Sequence, residues 1–131
     1  MPDVFVITPF REVKRGLRSL LCERANWVQA LAGRSLPVPT KANLEQLESN
    51  IGTVHTFQGK ERDIVFFVLG CDSSHSGAID WASGEPNILN VAVTRAKKHL
   101  YVIGDRNLWG SKRYFDTALA MLKEFQAGHA A

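Results

Sequence analysis

The sequence predicts an α/β domain built on a doubly wound, mainly parallel sheet. Three continuous apolar runs, at residues 3–8, 63–70 and 99–105, are typical of strands that are buried on both faces. Segments with apolar residues at helical spacing lie between these runs. This alternation of buried strands and helices favours a parallel sheet over a β-sandwich.

The other elements of the N-terminal half follow from local patterns. Apolar residues recur at helical spacing from Arg11 to about Ala32, which predicts one long helix that ends at Gly33. A short helix is predicted over residues 41–49 and a short strand over residues 52–57.

The C-terminal half is predicted in the same way. Turn-forming residues predict a loop over residues 71–85. Pro86 suits the first turn of a helix, which is predicted to run to about Lys98 and to include Arg95. A last amphipathic helix is predicted over residues 113–126.

Length and composition limit the class of protein. The 131 residues predict a single domain, residues 1–131, and the abrupt start in a strand suggests a fragment of a longer chain. The formal charge of +3 permits a nucleic-acid partner without requiring one. Cys22 and Cys71 are far apart and the four histidines are scattered, so no zinc or disulfide pattern is present. We therefore expect a reducing, cytoplasmic location and no metal ligands in this chain.

The usual nucleotide and hydrolase motifs are missing. The sequence contains no G-x-x-x-x-G-K-[ST] phosphate loop, no G-x-G-x-x-G and no G-x-S-x-G. If this chain handles a nucleotide, it does so without the usual phosphate cradle.

Arg95 is the first candidate functional residue, because it falls on the apolar flank of its predicted helix. A buried guanidinium is costly unless a negative or carbonyl partner compensates it. Arg95 could extend to solvent or to the carbonyls at the helix end. It could instead be aimed across a cleft at a phosphate.

Two further segments carry candidate residues beside predicted strands. In "TVHTFQGKERD", Gln58 and Gly59 predict a tight turn, and Glu61 could bind ribose hydroxyls. In "VITPFREVKR", Phe10 could stack on a nucleobase and Arg11 could reach a phosphate. Taken alone, each segment is equally compatible with a solvated turn or with core packing.

Taken together, three segments resemble a known family. "TPFRE", "TVHTFQGKERD" and "LNVAVTRAKKHLYVIGD" are similar, in order and spacing, to motifs IV, V and VI of superfamily 1 helicases. The resemblance is to the second RecA-like domain of the branch that includes the nonsense-mediated decay helicase, and it covers about Val4 to Trp109. It implies a RecA-like domain of the P-loop NTPase type that lacks its own P-loop.

The resemblance implies roles for individual residues. Phe10 would stack on adenine, and Arg11 would contact the γ-phosphate. Gly59 and Glu61 would lie beside the phosphates and the ribose. Arg95 would be the arginine finger, so its negative partner would be ATP bound to another domain.

Other implied contacts concern the nucleic acid and the missing domain. Thr53, His55 and Gln58 would face single-stranded DNA or RNA. ATP with Mg²⁺ would be bound mainly by the N-terminal RecA-like domain of the same parent chain. Asn87 and Ile88 depart from the family, which often carries arginines there.

The resemblance implies the second motor domain of an ATP-dependent DNA or RNA helicase, which supplies arginine fingers and half of the nucleic-acid channel. The alternatives are a non-catalytic RecA-like module that binds nucleic acid or protein, and a stand-alone nucleotide-binding domain. We expect the three tryptophans, Trp27, Trp81 and Trp109, to pack in the protein rather than to stack on bases. Trp81 in the predicted loop is the one to test for contact with the nucleic-acid strand.

The missing phosphate loop generates a first prediction. The purified 131-residue chain should release no phosphate from ATP above background, with or without single-stranded DNA or RNA, because it lacks the cradle that holds the phosphates. A phosphate-release assay checks this. Turnover that persists through stringent purification would contradict it.

Overall fold

A single parallel sheet organises the domain. The structure is a computed structural model, and it describes residues 3–57, 59–70, 73–84, 86–109, 111–112 and 114–121. The described strands pair in the order β2-β1-β3-β4. They are β1 (Val4–Thr8), β2 (Ile51–Thr53), β3 (Arg62–Val68) and β4 (Ala96–Ile103). All three pairings are parallel, so the predicted doubly wound α/β fold is confirmed.

Helices cover both faces of the sheet. One face packs against α1 (Arg11–Leu21), α2 (Arg24–Ala30) and α3 (Lys41–Ser49). The other packs against α4 (Ser76–Gly84), α5 (Pro86–Thr94), α6 (Arg106–Trp109) and α7 (Phe115–Met121). The chain thus changes face between the connection after β1 and the one after β3. The carboxyl ends of these two strands are therefore a topological switch point, where ligands of such sheets bind.

β1 is the centre of both cores. Val4 and Val6 belong to the cluster under α1 to α3, whereas Phe5 and Ile7 belong to the opposite cluster. All four are less than 10% exposed. Burial on both faces explains why the strand reads as a continuous apolar run.

The single long helix predicted from Arg11 to Ala32 is wrong, because the chain breaks after Leu21. Two side chains of the following segment bind the last carbonyls of α1. Asn26 Nδ2 donates to Leu20 O at 2.8 Å, and Trp27 Nε1 donates to Leu21 O at 2.6 Å. These bonds satisfy carbonyls that a longer helix would have used, so the chain turns here and restarts as α2.

The loop predicted over residues 71–85 is also wrong for its described part, which forms α4 after a 3₁₀ turn at Ser73–His75. Ile79 and Ala82 are almost completely buried, and they anchor this helix in the core. Tertiary burial overrides the weak helix propensity of the serines and glycines. Residues 71, 72 and 85 lie outside the described residues.

The boundary after Pro86 differs from the prediction as well. α5 ends at Thr94, and β4 begins at Ala96 rather than at His99. Ala96 pairs with Arg62 of β3, and the Arg62 amide donates to the Arg95 carbonyl at 2.9 Å. Long-range strand pairing therefore takes residues that the local pattern assigns to a helix.

No helix among the described residues has the length and apolar character needed to cross a membrane. Of the helix predicted over residues 113–126, the structure describes Phe115–Met121, and residues 122–131 lie outside the described part.

The close approach of α1 to β3 generates a second prediction. Gly70 has φ +63°, and a Cβ built there would lie 2.7 Å from Cγ2 of Val13. Gly70→Ala should therefore lower the free energy of unfolding by about 2 kcal/mol, through backbone strain and this contact. Urea unfolding measures the change.

Gly16→Ala is the matched control. Gly16 lies within α1, and a Cβ built there would have no neighbouring atom within 4 Å. Alanine there should raise stability by roughly 0.5–1 kcal/mol through its better helix propensity. Equal effects of the two substitutions would contradict the strain at Gly70.

Candidate nucleotide and nucleic-acid sites

The strand register separates the candidate residues into two groups at opposite edges of the sheet. Thr8, at the carboxyl end of β1, pairs with Thr53. Ala96, at the amino end of β4, pairs with Arg62 of β3. Val4, at the start of β1, pairs with Ile64, which is two residues further along β3. Ala96 therefore lies six residues below the level of Thr8. At 3.3 Å per residue, these two levels are about 20 Å apart along the strands. We call them the carboxyl edge and the amino edge.

Residues 54–61 run from the carboxyl edge back to the amino edge. Phe57 is 2% exposed, and its ring stacks on Phe5 with centroids 4.1 Å apart. The Lys60 amide then donates to the Phe57 carbonyl at 3.0 Å, which closes a turn. Gly59 has φ +79° in this turn, a conformation that favours glycine. The tight turn predicted at this position is present at Gly59, while Gln58 lies outside the described residues.

Arg95 lies at the amino edge, between α5 and β4, and is half-buried. Its Nη1 donates to the Lys60 carbonyl at 3.1 Å. Its Nε is buried and has no hydrogen-bond partner among the described residues. This bond fixes the guanidinium against the turn that carries Gly59. A half-buried guanidinium held in one orientation can bind an anion through the part of it that stays exposed.

Ion pairs surround this group at the amino edge. Arg62 Nε lies 3.0 Å from Asp3 Oδ1. The carboxylate of Asp63 lies 3.9 Å from Lys97 Nζ and 3.6 Å from Lys98 Nζ. Lys97 and Lys98 are exposed residues of β4, although the local pattern predicts a helix that runs to about Lys98.

Glu61 is exposed beside the Gly59 turn, and its backbone carbonyl accepts a bond from Arg62 Nη1 at 2.8 Å. Gly59, Glu61 and Arg95 are therefore brought together at one edge, as a shared nucleotide contact requires.

The carboxyl edge holds the other candidates. Phe10 caps α1 from the end of β1, and its amide donates to the fully buried Thr8 hydroxyl at 3.3 Å. The Phe10 ring is half-buried, with its centroid 6.3 Å from those of Trp81 and Trp109. Arg11 is exposed.

Thr53 and His55 lie at this carboxyl edge too. Thr53 Oγ1 is 3.3 Å from Thr56 Oγ1, and His55 is exposed. The structure therefore groups Phe10 and Arg11 with Thr53 and His55, which are predicted to bind nucleic acid. It does not group them with Arg95.

Sequence reasoning misses two contacts of these groups. The Lys60 carbonyl is a backbone partner, which leaves no signal in the sequence. The contact of Trp81 with Phe10 depends on a helix that the local pattern does not predict.

Metal-binding clusters of three or more His, Cys, Asp or Glu are absent from the part of the chain that the structure describes. Burial raises the pKa of the Cys22 thiol, and Glu48 adds to the shift, so this cysteine stays protonated and unreactive.

Comparisons with known proteins identify the family of the chain. Residues 2–107 match the family described as the AAA domain. The chain is 30% identical over 126 residues, or 93% of its length, to the DNA polymerase alpha-associated DNA helicase A of Schizosaccharomyces pombe. It covers only 15% of that relative.

Shorter matches point to the same branch. The chain is 41% identical over 68 residues to Helicase sen1 of Schizosaccharomyces pombe, covering 47% of this chain and 4% of that protein. It is 41% identical over 58 residues to the Regulator of nonsense transcripts 1 homolog of Neurospora crassa, covering 44% of this chain and 5% of that protein. The chain therefore belongs to the AAA-domain family and is a superfamily 1 helicase-type domain, with a RecA-like α/β fold, of the branch that includes the regulators of nonsense transcripts.

Proposed function

We propose that this chain is the second motor domain of an ATP-dependent DNA or RNA helicase and that Arg95 is its arginine finger. In this proposal residues 1–131 form one RecA-like domain of a longer parent chain, and an N-terminal RecA-like domain supplies the phosphate loop. The observation that carries the proposal is the Arg95 guanidinium, which is held at the amino edge beside Gly59 and Glu61 by the Lys60 carbonyl.

The arrangement at Arg95 fits a group that acts on a phosphate from outside. The hydrogen bond from Nη1 to Lys60 restricts the side chain, so little rotamer entropy remains to be lost on binding. The residue as a whole is only half-buried, so an anion could approach the guanidinium from outside, although its Nε is sealed and unpartnered among the described residues. A guanidinium placed in advance stabilises charge that develops during phosphoryl transfer.

Glu61 and Gly59 complete the nucleotide contact. The exposed Glu61 carboxylate could accept hydrogen bonds from ribose hydroxyls, and Gly59 leaves the backbone open, since nothing lies within 4 Å of its Cβ position. ATP would supply the transferred phosphoryl group. Mg²⁺ would be held mainly by the first domain, together with the phosphates that its loop binds.

The carboxyl edge would face the nucleic acid. The exposed His55 and the hydroxyl of Thr53 offer polar contacts that position a phosphate backbone without reading sequence. Exposed Arg11 adds a positive charge at this edge. Arg11 lies about 20 Å from the level of Arg95 along the strands. Its predicted contact with the γ-phosphate would therefore need a nucleotide that reaches both edges.

The finger role predicts a large effect on turnover. In a helicase chain that carries this domain and its P-loop domain, Arg95→Ala should lower ATP hydrolysis by roughly 10³-fold or more and leave ATP binding nearly unchanged. Arg95→Lys should not restore hydrolysis, because an ammonium cannot reproduce the planar fork. Lys97→Ala, which removes an exposed cation two residues away, is the matched control and should keep turnover near wild type.

The effect on folding separates the finger from a structural clamp. In the 131-residue chain, Arg95→Ala should lower the free energy of unfolding by about 1 kcal/mol, the value of one hydrogen bond. Lys60→Ala should cost less than about 0.5 kcal/mol, because Arg95 binds the Lys60 backbone. Thermal and urea unfolding measure both. If Arg95→Ala unfolds the chain yet leaves turnover of the two-domain protein intact, Arg95 is structural and the proposal fails.

A further inference from the structure

Trp81 is a large aromatic residue with no place in the nucleotide contact. It lies on α4 and is 51% exposed, although the neighbouring Ile79 and Ala82 are almost completely buried. The adjacent Asp80 is tied by its carboxylate to Lys112 Nζ at 2.8 Å. The backbone under Trp81 is thus anchored on both sides, so the indole is presented at the surface by a fixed helix.

The indole contacts a second ring at the same edge. Phe10 and Trp81 have ring centroids 6.3 Å apart and planes tilted by 46°, so the rings touch and leave no slot between them. Behind Phe10 lies Trp109, which is 0% exposed and donates from Nε1 to the Gly70 carbonyl at 3.4 Å. A buried indole therefore packs against Phe10, while about half of Trp81 remains exposed.

The position of this pair is that of a ligand site. Phe10 follows β1, α4 follows β3, and the carboxyl ends of these two strands are the topological switch point of the sheet. Thr53 and His55 lie on the neighbouring strand end, with Arg11 next to Phe10. Aromatic surface beside hydroxyl, imidazole and guanidinium groups matches a single-stranded nucleic acid, which offers bases to stack and phosphates to bind.

We propose that Trp81, with Phe10 beside it, forms a stacking platform for an unpaired base of single-stranded nucleic acid at the carboxyl edge. This inference rests on the proposed function, because it places the nucleic acid at that edge. It assigns Phe10 to the nucleic-acid strand rather than to the adenine of ATP, on which the family resemblance places it. The platform is sequence-tolerant, because every base has a π-face.

The test compares two probes that differ only in their bases. Fluorescence anisotropy measures the binding of the 131-residue chain to an oligothymidylate and to an abasic oligodeoxynucleotide of the same length. Trp81→Ala should weaken binding to oligothymidylate at least about 5-fold, the low end of the stacking energy for one base. Binding to the abasic strand should stay unchanged. The dependence of affinity on salt should also keep its slope, because no phosphate contact is lost.

Two variants control for packing. Trp81→Phe keeps a π-face and should lose less affinity than Trp81→Ala. Leu20→Ala removes an apolar side chain of similar exposure, 58%, from the far end of α1, and it should change neither affinity. Thermal unfolding establishes that each variant is folded. If Trp81→Ala is not folded, quenching of tryptophan emission by oligothymidylate is compared between the wild-type chain and Trp81→Phe. Quenching that is lost in Trp81→Phe supports stacking on Trp81, and quenching that persists contradicts it.

Three results would overturn the inference. Equal weakening of both probes by Trp81→Ala, or weakening of neither, would show that the indole does not stack on bases. If ATP but not oligothymidylate quenches tryptophan emission, and Trp81→Phe abolishes that quenching while Trp27 and Trp109 still emit, the platform belongs to adenine. Failure of the wild-type chain to bind either probe, even at low salt, would also remove the nucleic-acid part of the proposed function. The Arg95 turnover measurement would still test the finger separately.

Discussion

The hydrogen bond between Arg95 Nη1 and the Lys60 carbonyl, at 3.1 Å, is the contact on which the amino edge depends. The backbone of Arg95 takes part as well, since its carbonyl accepts the Arg62 amide at 2.9 Å. One residue therefore closes the β3–β4 ladder and also holds the turn that precedes β3. The bond to the Lys60 carbonyl offsets part of the cost of a half-buried guanidinium, which has no carboxylate partner within the described part of the chain. The Nε of the same guanidinium is buried and has no hydrogen-bond partner among the described residues, so part of its desolvation stays uncompensated there.

Parallel strands explain why the candidate residues fall into two separate groups on so small a sheet. Every carboxyl end lies at one edge and every amino end at the other, so the connections that follow strands and those that precede strands collect separately. Phe10 and Thr53 lie at strand ends, whereas Arg95 and Glu61 precede strands. The proposed function follows this separation: it assigns the nucleic acid to the carboxyl edge and the nucleotide to the amino edge.

Local sequence predicts β1 well, because a strand buried on both faces must be apolar throughout. It also predicts β3, whose apolar run from Ile64 to Val68 is buried on one face and half-buried on the other. It predicts less where a distant partner decides. Residues 96–98 continue a helical pattern, yet pairing with β3 makes them part of β4. Ser76–Gly84 is rich in turn formers, yet the burial of Ile79 and Ala82 makes it helical. Neither outcome is encoded within the segment itself.

The residues of the candidate site divide in the same way, into those that local sequence groups correctly and those that the folded sheet separates. Motif spacing identifies Gly59, Glu61 and Arg95 as a group, and the structure does bring them together. The same spacing adds Phe10 and Arg11, whose separation from that group is set by the register between β1 and β3, a property of the folded sheet.

Residues 54–61 are the physical connection between the two edges. The segment leaves β2 beside His55, crosses the sheet with the Phe57 ring stacked on Phe5, and arrives at the amino edge as the turn that Arg95 holds. Gly52 lies under the start of this path, where a Cβ would come within 3.0 Å of Thr56 and 3.1 Å of Phe57. Packed interiors resist deformation, so the Phe57 stack cannot absorb a displacement at one end of the segment. The displacement is therefore transmitted along the backbone to the other end. In the proposed motor, this short anchored path is the most direct route by which a contact at the nucleic-acid edge and a contact at the nucleotide edge would affect each other.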